Sequence, residues 1–382
     1  MFLVARLFAL CLYVMFLLSA YYFIAQGTRK IIRNTLIVYL LCLCIVAYLY
    51  EPMTSADLYR LIPIMNGYAA KSFGEVLGII ATQSLSTPGV PILYYIVGQV
   101  GKDGALACAA ALITYGFVFS ILYDCYLKNH IKSRDLALVL LLFMSRGIFL
   151  IVISNVRTGI SLAIIAWCVY HEIVNHRNIF KDVPFYIVAA SIHSLGQAVI
   201  ILRIILVLTE TNNGRISVKK CISFVAFMAL IIVFGTKFGF FEQLLGKTDS
   251  YYEKSVNDEG YYYIWEVIFN YYALAIYYYL VRCRKRMCKD GLIYSSATTN
   301  QLFRFFKLLI AIDAIAYFVE YNFFYRLGWF VAILAIPTSL LLLKETENTR
   351  MHASLHNFIL VSSIILLFLE CARGDLCGLK LW

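Results

Sequence analysis

"LALVLLLFMSRGIFLIVISNVRTGISLAIIAWCVY" (residues 136–170) joins two apolar runs, 136–153 and 161–170, through the more polar "SNVRTGISLAI" (154–164). Arg157 stands at that bend, with Asn155, Thr158 and Gly159 around it. An apolar run of about 20 residues crosses the hydrocarbon core of a bilayer as a helix. Such runs recur along the chain: its 382 residues are 62% hydrophobic and 14% charged, with mean hydropathy +0.78. A soluble domain is about 45–50% apolar and about 25% charged, so no soluble fold hides this surface. Barrel strands would alternate over roughly 10-residue segments, whereas these runs are continuous. In lipid only helices and closed barrels pair every backbone N–H and C=O. The chain therefore reads as all-α: a polytopic integral membrane protein, a single transmembrane domain over 1–382. The runs allow about 10–12 transmembrane helices, with one or two broken or re-entrant elements. The N-terminal "MFLVARLFALCLYVMFLLSAYYFIAQG" is too long and lacks the cleavage site for a signal peptide, and reads as the first span.

The net charge of +11 would suggest nucleic acid in a soluble chain. Here it is a topology signal, and no nucleic-acid partner is expected. Segments 26–34, 127–135, 175–182, 212–220, 282–291 and 344–350 hold 18 of the 33 Lys and Arg, and the positive-inside rule puts them in the cytoplasm. Segments 51–74, 154–157, 237–260 and 320–326 then turn on the outer side, with 51–74 and 237–260 as outer loops contributing to the site. Two stretches resist simple counting. The run 75–101 contains "TQSLSTPGVP" and reads as a pair of half-helices; 183–208 reads as one span or a broken hairpin. The eleven cysteines lie mostly inside apolar runs, without a CxxC pair, and behave as small hydrophobes. There is no phosphate-cradling Gly-rich loop, HExxH, GxSxG or DxD motif, so neither metal nor cofactor is expected.

Ionisable residues in or beside a membrane segment are functional candidates by default. Asp57 and Arg60, with Tyr59 between them, lie three apart, so a helical turn brings the two charges to one side. They form a local ion pair or shape an outer polar cavity. Arg157 either donates to carbonyls at a helix bend or clamps an anion, because its planar fork of donors suits phosphate oxygens. His193 lies in a polar island with Ser191, Ser194, Gly196 and Gln197, where the topology needs a break. It is a satisfied core histidine or an acid–base group. Arg326, near Glu320, heads a late span as an interfacial anchor or a second clamp. Tyr251 and Tyr252 are belt residues or platforms for sugar rings.

These pieces, taken together, resemble the EpsG family of Wzy-type polysaccharide polymerases. The resemblance rests on "ADLYR" (56–60), "STPGVPILYYIVGQVG" (86–101), "NVRTGISLAI" (155–164), "ASIHSLGQAVI" (190–200) and "YRLGWFVAILAIP" (325–337), which follow in the family's order. Leu58 separates the aspartate and tyrosine that the family places side by side. The resemblance implies a glycosyltransferase of the multi-span C type in the bacterial inner membrane, with its site facing the periplasm. Its substrate is implied to be the undecaprenyl-pyrophosphate-linked oligosaccharide repeat unit of an O-antigen or related surface polysaccharide. The lipid would enter laterally from the membrane, and a chain-length regulator protein would be a partner. Under that reading Arg157 and Arg326 stabilise the leaving pyrophosphate. His193 or Asp57 takes the acceptor proton, and Arg60, Tyr59, Asn155, Tyr251, Tyr252 and Glu320 line the substrate. The alternative is a flippase or exporter of the same lipid-linked sugar.

Overall fold

The computed structural model describes residues 2–52, 57–146, 148–209, 260–293, 296–318 and 321–373. Among these residues the regular structure is helical. The helices are α1 (Phe2–Gln26), α2 (Arg29–Tyr48), α3 (Asp57–Ala69), α4 (Phe73–Gln83), α5 (Gly89–Gly98), α6 (Ala105–Lys128), α7 (Ser133–Ser145) and α8 (Ile148–Ser154). They continue as α9 (Val156–Ile173), α10 (Val183–Ile192), α11 (Ser194–Thr209), α12 (Gly260–Lys289), α13 (Ala297–Ala316), α14 (Tyr321–Thr346) and α15 (Met351–Arg373). Among the described residues four stretches are long and apolar enough to cross a membrane: Arg29–Tyr48, Ala105–Lys128, Phe323–Thr346 and Met351–Glu370. The stretch in α14 is almost wholly buried and forms the axis. On α2 and α15, Ile37, Leu41, Ile45, Val361, Ile364 and Phe368 face outward. An apolar exterior of that extent suits lipid and not water.

Five of the six basic segments gather at one end of the bundle. Ser133 Oγ donates to Gly27 O at 3.3 Å, and Lys132 pairs with Glu347 at 3.2 Å. His176 and Thr298 meet at 2.9 Å, and Arg284 pairs with Glu345 at 2.7 Å. The sixth segment, 212–220, lies outside the described residues. We call this the basic end and its opposite the far end.

Two short-helix hairpins enter the bundle from opposite ends. At the far end, α4 and α5 run antiparallel, with the rings of Phe73 and Tyr95 5.6 Å apart. Gly98 abuts Met65 and Ala69, so α3 runs beside α5 in the same direction. Gly104 abuts the Tyr48 carbonyl, so the chain returns to the point it left at the end of α2. The half-helices expected in 75–101 are therefore α4 and α5. Segment 51–74, expected as a loop, is instead mostly helix. Leu58, Leu61 and Met65 form a buried stripe at spacings of three and four, which makes α3 amphipathic despite its polar sequence.

The second hairpin is α10–α11. Glu172, near the basic end of α9, accepts from Tyr186 Oη at 2.6 Å and from Arg203 Nε at 3.1 Å. Tyr186 belongs to the outgoing leg and Arg203 to the returning one, so 183–208 is a broken hairpin and not a span. Its tip meets the tip of the first. Gln197 Nε2 donates to Ser86 O at 2.8 Å and to Ala190 O at 2.9 Å. A Cβ at Gly89 would overlap Ser191 Oγ, so glycine is what allows the close approach.

Candidate active site

Where the tips meet, helices begin. α5 starts at Gly89, α11 at Ser194, and α9 at Val156 beside His193. Asp57 opens α3, which lies level with the start of α5 because the two run in parallel. Each helix start carries unpaired N–H groups and roughly half a positive charge. The sequence folds this way because "STPG" and "SIHS" interrupt apolar runs too short to span.

Charged side chains add to that potential. Asp57 receives two guanidinium groups, Arg60 from its own helix and Arg326 Nη2 from α14 at 3.9 Å. Arg326 is largely buried and Arg60 exposed. Arg157, in the first turn of α9, is half-buried. It has no hydrogen-bond or ion-pair partner among the described residues. The charges of Arg157 and Asp57 both act on the Tyr94 hydroxyl of α5. Two arginines thus meet one carboxylate, with Arg157 as a further cation of the same region, so among these four described residues positive charge exceeds negative.

His193 is at the hairpin tip and is 9% exposed. Leu195 N–H donates to its Nδ1 at 3.0 Å, which places the ring proton on Nε2, 3.2 Å from Thr158 Oγ1. Thr158 is next to Arg157, so the ring ties the tip to the turn that carries the arginine. Asn155 occupies the N-cap position of α9 but its side chain makes no capping bond. Gly159 packs against Thr114 and Val152, where a Cβ would be tight. Tyr59 is exposed on α3, flanked by the buried Leu58. The structure therefore brings Asp57, Arg60, Arg157, His193 and Arg326 into one region. Tyr251, Tyr252 and Glu320 lie outside the described residues, as does 237–259.

Two features escaped the sequence reading. One is Tyr94, 2% exposed, whose hydroxyl has no hydrogen-bond partner among the described residues. The other is a buried polar centre behind Arg326. Arg146, at the end of α7, donates from Nη1 to Gly328 O at 2.7 Å and from Nη2 to Asn270 Oδ1 of α12. Asp313 of α13 is fully buried, and its carboxylate flanks the same glycine. A Cβ at Gly328 would lie 2.7 Å from Arg146 Nη2 and 3.3 Å from Asp313 Oδ2. These contacts fix α14 two residues from Arg326. The signal was available, since a charge inside an apolar run is costly and rarely idle.

A family model described as the EpsG family matches residues 87–374. No curated protein and no solved structure matches the chain.

Proposed function

The chain belongs to the EpsG family, whose members are polysaccharide-polymerase-type membrane proteins, and from that premise we propose that it joins lipid-linked sugar repeat units. The donor is an oligosaccharide on undecaprenyl pyrophosphate, and the reaction is glycosyl transfer. The observation that carries this reading is the positive centre at the meeting of the two hairpins, with Arg157 unpaired inside it. In the transfer an acceptor hydroxyl oxygen bonds to the anomeric carbon while the bond from that carbon to the pyrophosphate oxygen breaks. Negative charge grows on the departing oxygen. Fixed cations and helix starts aimed there lower the barrier without reorganising. Arg157 and Arg326 are the groups assigned to it.

The acceptor proton goes to Asp57, whose carboxylate faces the arginines. The lone pair on His193 Nδ1 is taken by the Leu195 amide, so His193 positions the tip in this reading. The basic end carries the positive-inside signal. The site would then open toward the periplasmic side of a bacterial inner membrane. The hairpins entering from opposite ends favour one competing reading, transport of the same lipid-linked sugar.

Arg157→Ala and Arg326→Ala should each lower polymer formation by about 10²–10³ at normal protein level. Cells should then display single repeat units. A transporter predicts no surface sugar at all, and full-length polymer from both variants sinks the polymerase site.

A further inference from the structure

Tyr94 belongs to none of the roles above, yet its surroundings are unusual. The ring lies on α5, 6.2 Å from the ring of Tyr68 on α3. Helical side chains lean toward the helix N-terminus, so this ring leans toward the tip and toward Asp57. The hydroxyl is buried, and no described residue pairs with it. A buried hydroxyl without a partner is costly and calls for an explanation. Tyr39 and Tyr115 also have buried hydroxyls without a partner. Their ionisable neighbours are other tyrosines and a cysteine, and Tyr277, likewise unpaired, lies beside Arg146 of the buried centre already described. Tyr94 instead lies on α5 within electrostatic reach of Arg157 and Asp57.

We propose that the Tyr94 hydroxyl is a substrate-binding group of this site, donating a hydrogen bond to a pyrophosphate oxygen of the lipid-linked donor. The proposal rests on the polymerase reading. A phenol is suited to the place. It is neutral, so its burial is cheaper than that of another cation. Its oxygen and its proton are both unengaged among the described residues, so the proton can be given to a ligand oxygen. The acceptor oxygen gains charge as the glycosidic bond breaks, so the bond strengthens in the transition state. The loss on removing it should fall mainly on kcat.

Tyr94→Phe deletes one oxygen and keeps the ring. The test compares Y94F with Y115F, R157A and R326A in two assays: polymer formation, and binding of farnesyl pyrophosphate to the purified protein in detergent. Y94F should lose about 10–100-fold in kcat with little change in KM. It should bind farnesyl pyrophosphate about tenfold more weakly and melt no lower than wild type. Y115F should match wild type throughout. Wild-type kcat and binding in Y94F beside an inactive R157A would overturn the proposal alone. A lowered melting temperature in Y94F would also overturn it, because the hydroxyl would then serve the fold. An active R157A together with an active R326A would remove the polymerase reading, and the binding assay would still report whether Tyr94 meets a pyrophosphate.

Discussion

His193 is held by two hydrogen bonds of opposite sense: Nδ1 accepts from a backbone amide and Nε2 donates to Thr158. That occupancy is why its role differs from the one its residue type suggests. His193→Ala should strand the Leu195 N–H and the Thr158 hydroxyl. The expected loss is about 1–3 kcal/mol of stability, read as a lower melting temperature in detergent, together with reduced polymer. At this scale the sequence showed its isolated charges well. Arg157, Arg326 and Asp57 stand out from apolar or aromatic surroundings, and the fold brings Arg326 onto Asp57. Tyr94 did not stand out, because a tyrosine in "ILYYIVG" looks like any membrane aromatic. What marks it is an unpaired hydroxyl, and pairing is a property of the folded chain. Arg146 and Asp313 were overlooked for another reason: one charge within each run left the hydropathy of the run almost unchanged.

The decisive elements are the four short helices of the two hairpins. Their existence was legible from runs too short to span and from Pro, Gly and Ser at the breaks. Their direction was not. Whether 183–208 crosses or returns depends on Glu172 reaching both Tyr186 and Arg203, a contact among residues 14 and 31 positions away. Periodicity carries no record of it. The tip-to-tip contact gives an element-level test. Gly89→Ala places a methyl group on Ser191 Oγ, and overpacking of this kind costs about 1–3 kcal/mol. Ser191→Ala in the same chain removes that oxygen and should recover part of both melting temperature and polymer yield. Equal defects in the single and double variants would mean that the tips do not touch at this point.

Across the whole molecule, charge is sorted between the two ends. The basic end is tied by ion pairs between its segments, among them the fork of Arg284 of α12 on Glu345 of α14. The far end holds the α4–α5 hairpin and Arg326. That division was readable from Lys and Arg counts alone, because loop charge is set by topology and not by packing. The path between the two ends was not readable. α14 links them, buried along almost all of its apolar stretch, with Arg326 near one terminus and Lys344 near the other.

Glu172 gives this path a second strand. One carboxylate at the basic end decides how far the α10–α11 hairpin reaches, and hence where His193 rests against the turn of Arg157. Glu172→Ala would leave Arg203, 6% exposed, as an uncompensated buried charge. Losses of about 3–5 kcal/mol follow from such breaks. The variant should lose polymer formation although every group assigned to the reaction is intact, and a cysteine at position 194 should change its rate of thiol labelling. A mutational survey of the basic end would then return inactive variants that resemble a second site. They would instead be failures of a lever whose handle lies at the basic end and whose working end lies at the meeting of the two tips.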